Sequence, residues 1–218
     1  QFEKDWAKQL IEKYFGSNYK VLSSSSIKLS KNSITDDKGN TFKIDNSNPL
    51  PLSPDYPTAL WVAACNYSNR NSSISAVAIH DIEGTYSSCV SWFQNCASGV
   101  SAHYVVRSSD GQITQMVLES NKAWHVGSEN GYTIGIEHEG YVSTASWYTT
   151  AMYTGSAALV RDICASGYGI NPLRTYYGPG CSGTTAECNP LAGGCVKIKG
   201  HQFFPNQTHD DPGPNWNW

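Results

Sequence analysis

Charge is scarce in this chain, and neither sign dominates. Lys and Arg number 15 against 18 Asp and Glu, and only 15% of residues are charged. With no basic surplus to pull it onto a phosphate backbone, no nucleic-acid partner is expected. Long apolar runs are missing as well: none approaches the roughly 20 residues that cross a bilayer, and the nearest stretch is broken by Asn66, Ser68 and Arg70, so no membrane insertion is expected. There is no Cys-x-x-Cys pair, which weighs against a zinc ribbon or finger. No internal repeat is visible, which excludes a solenoid or propeller. No charged, then apolar leader follows Gln1, as expected if a signal peptide has been removed or the chain is a trimmed piece.

What is present is ring surface and cysteine. Aromatic residues make up 12% of 218 residues, with seven Trp and 13 Tyr, too much apolar surface for a disordered chain and enough length for one domain plus an extension. A monomer is the default expectation. The cysteines Cys65, Cys89, Cys96, Cys164, Cys181, Cys188 and Cys195 point to an oxidising compartment, hence a secreted or periplasmic location. Cys89 and Cys96, Cys181 and Cys188, and Cys188 and Cys195 are each seven apart, loops that a bridge would stabilise by about 2 to 4 kcal/mol. An odd total leaves at least one thiol unpaired.

Apolar positions Phe2, Trp6, Leu10, Ile11, Tyr14 and Phe15 recur at helical spacing until Gly16. The stretch that follows is rich in Ser and Pro, with one hairpin expected around Gly39. Residues 1–55 therefore read as a helix and extension that either wraps onto the main domain or is the remnant of a lost segment, and residues 56–218 as the main domain. Within the latter, Val77 to His80, His103 to Arg107, Ile113 to Leu118 and Ile134 to Glu139 read as strands, with a tight turn at Asp110-Gly111. Helices are expected to begin at Val90 and to run from Trp147 to Ala165. The fold class is α/β: a central mixed β-sheet flanked by helices, one domain with an N-terminal extension and a Cys-rich loop insertion between Leu173 and Lys199.

The chemistry concentrates in histidines. His80 closes an apolar strand, where sites form at sheet edges, while His201 and Asp211 lie near the C-terminus. Two imidazoles and one carboxylate make the ligand set of a hydrolytic zinc site with a fourth position left for water. Taken singly, each residue is as well explained by a structural His or by a turn-forming Asp ahead of Pro-Gly.

Five segments in order tip that balance: Ala78-Ile79-His80, Val100 to Val106, Ala123-Trp124-His125-Val126-Gly127, Ile134 to Gly140, and Gly200-His201 through Asp211-Pro212-Gly213-Pro214. Together they resemble the zinc-dependent N-acetylmuramoyl-L-alanine amidases of the second type, a family that includes cell-wall amidases, phage endolysins and peptidoglycan recognition proteins. The resemblance covers Leu60 to Trp218. It implies that His80, His201 and Asp211 bind Zn2+, that Glu137 acts as general acid and base, and that peptidoglycan or muropeptides are the partner. The bond implied is the amide between the lactyl group of N-acetylmuramic acid and L-Ala. Glu139, two residues on, shares the strand face with Glu137 and is the rival base. His209 stands where many members carry Lys, and the resemblance gives it the oxyanion; a His titrates near neutrality where a Lys stays charged. Ala102 stands where some relatives carry Tyr. Trp124 and His125 fall at substrate-contacting positions, and His103 either faces the cleft as a further substrate contact or braces the metal shell, with core packing the alternative for His103 and Trp124. A non-catalytic peptidoglycan-binding module is the alternative function.

Overall fold

The computed structural model describes residues 28–30, 33–35, 38–39, 41–43, 53–172, 175–176 and 197–218. The chain divides into two compact units, Gln1–Pro51 and Leu52–Trp218. In the first, β1 (Lys28–Ser30), β2 (Ser33–Thr35) and β3 (Thr41–Lys43) form an antiparallel sheet in that order. The expected hairpin at Gly39 is the β2–β3 connection, paired at Thr35 and Thr41. The helix expected over Phe2 to Phe15 lies outside the described residues.

The second unit contributes β4 (Leu60–Trp61), β5 (Tyr67–Asn69), β6 (Ala76–Asp81), α1 (Tyr86–Gln94), β7 (Tyr104–Val106), β8 (Ile113–Gln115), β9 (Asn121–Ala123), β10 (Thr133–His138), α2 (Thr150–Ala165), β11 (Thr175–Tyr176) and β12 (Ile198–Gly200). Seven strands make one mixed sheet in the order β11-β12-β6-β10-β7-β8-β4, with β7 and β8 the antiparallel pair. The small pair β5 and β9 stands apart from it. Strand β10 is inserted between β6 and β7 and runs parallel to both, so the strands that carry the chemistry end at one edge.

Alternation along β6 and β10 assigns the two faces of this sheet. Val77 and Ile79 on β6, with Ile134 and Ile136 on β10, form one face and are buried against Met152, Leu159 and Ile163 of α2. Ala76 and Ala78 form the other face with Val126, Tyr132 and Phe204. On that face Gly135 is required by close approach, because a β-carbon there would sit 2.5 Å from Nδ1 of His125. Bulk on one side makes the core, and its absence on the other leaves room for rings and a cleft.

Both helices differ from expectation at their starts, for a local reason. The Thr85 side chain accepts the Ser88 N–H at 3.3 Å and opens α1 four residues before Val90, and Asn95 closes it ahead of Cys96. The Thr149 side chain accepts the Met152 N–H at 3.1 Å, so α2 starts there, and Ala145–Trp147 is a separate 3-10 turn. The bridge suggested by the seven-residue spacing of Cys89 and Cys96 does not form. Cys96 pairs with Cys65, 31 residues away, while Cys89 is held on the buried side of α1 as a free thiol. Most of the Cys-rich stretch between Leu173 and Lys199 lies outside the described residues.

Candidate active site

The ends of three adjacent parallel strands supply the site. His80 is the fifth residue of β6, His201 follows β12, and the loop after His201 returns Asp211 to the same place, held by the Gln202 N–H donating to the Asp211 carbonyl at 3.0 Å. Nδ1 of His80 lies 3.1 Å from Nδ1 of His201 and 3.2 Å from Oδ2 of Asp211, and Nδ1 of His201 lies 3.0 Å from Oδ1 of Asp211. All three side chains are buried, and each offers a donor atom within 4.8 Å of the others. Bonds of about 2.0 Å to a tetrahedral zinc place ligand atoms roughly 3.3 Å apart, so the donor set and its spacing fit that ion. Burial, followed by the charge of His201, lowers the pKa of His80 to about 4, which keeps its ring neutral as a ligand must be, although Asp211 works in the opposite direction.

Register puts the two candidate roles on one face: Glu137 on β10 is the direct partner of His80 on β6. It lines the cleft with His80, His201 and Asp211. Among the described residues its carboxylate accepts no hydrogen bond. Burial, then repulsion from Asp211 and Asp81, raises its pKa well above the carboxylate range. Glu139 does not share this position, although strand alternation predicts that it should. Strand β10 ends at His138, and the Glu139 carboxylate turns away to accept the N–H groups of Tyr86 and Ser108, each at 2.9 Å. It braces the first turn of α1 against the end of β7.

The cleft measures about 580 Å³, and its far wall carries Trp92, Phe93, Val100 and Trp124. Trp92, on α1, is 52% exposed, and no motif in the sequence marks it. The Trp124 ring is half-buried and donates from Nε1 to Ser68 Oγ at 3.2 Å. His209 is largely exposed, stacks on His201 at 4.4 Å between ring centres, and stands 3.8 Å from Asp211 Oδ1. His125 reaches the cleft edge, but both its ring nitrogens are engaged, Nδ1 with His80 Nε2 at 2.9 Å and Nε2 with Thr133 Oγ1 at 3.1 Å. Burial and the neighbouring His80 and His103 hold its pKa well below the ordinary value.

His103 is not brought to the cleft. It is fully buried, accepts the Gly135 N–H on Nδ1 at 3.0 Å, and has Nε2 against Arg70 and the Asn121 carbonyl, so no surface is left for a substrate. Arg70, which in the sequence registers only as an interruption of an apolar run, donates to the carbonyls of Glu119, Asn130, Gly131 and Thr133. It fastens the segment that carries Trp124 and His125. Burial lowers its pKa to about 10. No sequence signal marked it, because its partners are backbone carbonyls from residues far along the chain.

A parallel-edge cleft with two buried imidazoles, a buried carboxylate and a second carboxylate on the neighbouring strand is the arrangement of a hydrolytic candidate metal centre carried on a mixed α/β sheet. The family model for N-acetylmuramoyl-L-alanine amidase of the Amidase_2 type matches residues 70–214. N-acetylmuramoyl-L-alanine amidase A of Achromobacter lyticus is 42% identical over 167 residues, 75% of this chain and 91% of that protein. The 1,6-anhydro-N-acetylmuramyl-L-alanine amidase AmpD of Citrobacter freundii is 32% identical over 127 residues, and the match spans 54% of its length. A crystal structure of AmpD superposes with a TM-score of 0.55 at 23% identity, covering 77% of this chain and 94% of that one, which shows a shared fold. This chain belongs to the N-acetylmuramoyl-L-alanine amidase family, hydrolases of an amide bond.

Proposed function

We propose that the unit from residue 56 onward hydrolyses the amide between the lactyl group of N-acetylmuramic acid and the L-Ala of the peptidoglycan stem, using Zn2+ held by His80, His201 and Asp211. The observation that carries this reading is the convergence of those three donors with Glu137 in one cleft. Bound by these donors, zinc supplies a Lewis acid for the scissile carbonyl and for the attacking water. Glu137 takes the proton of that water on its carboxylate and returns it to the leaving L-Ala nitrogen. Its raised pKa suits a group that must hold a proton between the two transfers. His209, exposed at the cleft mouth beside Asp211, donates towards the oxyanion that forms on the carbonyl. Trp124 gives a sugar ring or peptide backbone a flat face.

The filled donor set and the free carboxylate of Glu137 favour catalysis over a module that only binds. A location in the periplasm or outside the cell follows from the nature of that substrate and agrees with the Cys65–Cys96 bridge. No helix among the described residues is long and apolar enough to cross a membrane. The protein acts as a monomer, with residues 1–55 as an extension of the catalytic domain. Incubation with purified peptidoglycan, followed by mass spectrometry, tests the reaction: stem peptides with a new L-Ala amine are expected, absent after chelation and restored by zinc. Wall binding with no such product would overturn the proposal in favour of a recognition module.

A further inference from the structure

Each histidine of the candidate metal centre uses its second ring nitrogen for a hydrogen bond, and both chains of bonds end on groups that can act in one sense only. The first runs from His80. The Thr133 hydroxyl donates to the Glu129 carbonyl at 2.9 Å, which spends its only hydrogen. Its oxygen, 3.1 Å from His125 Nε2, must therefore accept, so His125 carries its hydrogen on Nε2. A neutral imidazole has one N–H, which makes His125 Nδ1 an acceptor. The partner at 2.9 Å is His80 Nε2, which consequently carries the hydrogen of that ring. His80 Nδ1 is left with a lone pair facing His201 and Asp211.

The second chain is independent. The Gln207 side-chain amide donates from Nε2 to the carbonyls of Pro205 at 2.9 Å and Val126 at 3.2 Å. These two bonds fix which end of the amide is oxygen. That oxygen, 2.8 Å from His201 Nε2, can only accept, so His201 also carries its hydrogen on Nε2 and presents the lone pair of Nδ1. Reversing either chain would put an N–H where a metal donor is needed.

We infer that Thr133 acting through His125, and Gln207, are positioning residues that fix the tautomers of His80 and His201, so that both rings present Nδ1 to a divalent metal before it arrives. The inference deepens the metal-site reading and rests on it. It also gives His125 a role other than substrate contact, since neither of its nitrogens is free. Gly135 belongs to the device, because its missing side chain is what allows the His125 ring to lie against β10. Partners of this kind typically change metal affinity 10- to 100-fold when removed.

The test uses the whole chain freed of metal. Imidazole nitrogen resonances distinguish Nδ1–H from Nε2–H rings directly, and both His80 and His201 are expected in the Nε2–H form; either ring in the Nδ1–H form would overturn the inference. Zinc affinity is then measured by competition with a chromophoric chelator. Thr133→Val is expected to weaken zinc binding about 10- to 100-fold, while Thr133→Ser, which keeps the hydroxyl, stays within about threefold of wild type. Gln207→Leu is expected to weaken it to a similar degree. Wild-type affinity in both Thr133→Val and Gln207→Leu would overturn the positioning role, and the spectra of the unsubstituted protein decide the matter if a variant fails to fold. Tight zinc binding with the expected tautomers but no release of stem peptides would support this inference and overturn only the proposed reaction.

Discussion

The two faces of the sheet around β6 and β10 are built from alternate residues of the same two segments, yet they have opposite physical characters. On the α2 side Val77, Ile79, Ile134 and Ile136 fill every space with branched carbon. On the cleft side the same strands present Ala76, Ala78 and Gly135, and then His80 and Glu137. The apolar face supplies rigidity by close packing, and the small-residue face uses that rigidity to hold titratable groups out of water, where burial favours their neutral forms. Where polar groups do cross to the packed side they are fully satisfied: His138 donates from Nδ1 to the His80 carbonyl at 2.9 Å and accepts from Ser156 of α2 at 2.8 Å. The helix that makes the core thus also reaches the backbone of a candidate ligand.

Substitutions on opposite faces should separate these roles. The largest effect is expected for Asp211→Ala, which should lose bound zinc and amidase activity together; metal content near one equivalent would remove Asp211 from the ligand set. Glu137→Gln should retain zinc and lose turnover by about 10²- to 10⁴-fold. Unchanged turnover would remove Glu137 from the reaction. On the packed face, Leu159→Ala should cost about 2 to 5 kcal/mol in urea unfolding with little change in turnover per folded molecule. Glu139→Gln should cost about 1 to 3 kcal/mol, since one buried N–H of Tyr86 or Ser108 loses its acceptor, again with turnover retained. A catalytic defect in Glu139→Gln would blur the division between brace and base.

The last effect is a slope. Burial lowers the pKa of His138 to about 3, and burial together with the charge of Arg70 does the same for His103. Unfolded, each titrates near 6.5. Between those values the unfolded chain binds protons that the folded chain does not, so stability is whole above about pH 6.5 and declines as the pH falls towards about 3, by roughly 1.4 kcal/mol per pH unit for each ring. Urea midpoints measured from pH 7 to pH 4 in His138→Gln should fall less steeply than in the parent. An equal slope would assign the acid sensitivity to other groups.

Much of the fold was legible. The runs at Val77, His103 and Ile134 become β6, β7 and β10, and the helical spacing over Met152 to Cys164 becomes α2, because periodicity of two or of 3.6 is a local property. Helix starts were misplaced by a few residues, since the capping hydroxyls of Thr85 and Thr149 act ahead of the apolar pattern. The Cys89–Cys96 spacing misled because a bridge depends on which way two side chains point, and α1 turns Cys89 inward.

The order of the histidine and carboxylate motifs, the small residues on one strand face and the bulky ones on the other were determined by the sequence alone, because each is a relation between residues a few positions apart. Only the tertiary structure brought His80 to His201 across 121 residues, turned Glu137 into the cleft and Glu139 out of it, and aimed Thr133 and Gln207 at the back of the two ligand rings. Those outcomes depend on which strands lie side by side and where each one ends, and on carbonyls offered by distant turns. Strand order and the directions of buried hydrogen bonds are settled when the whole sheet closes, and no local spacing encodes them.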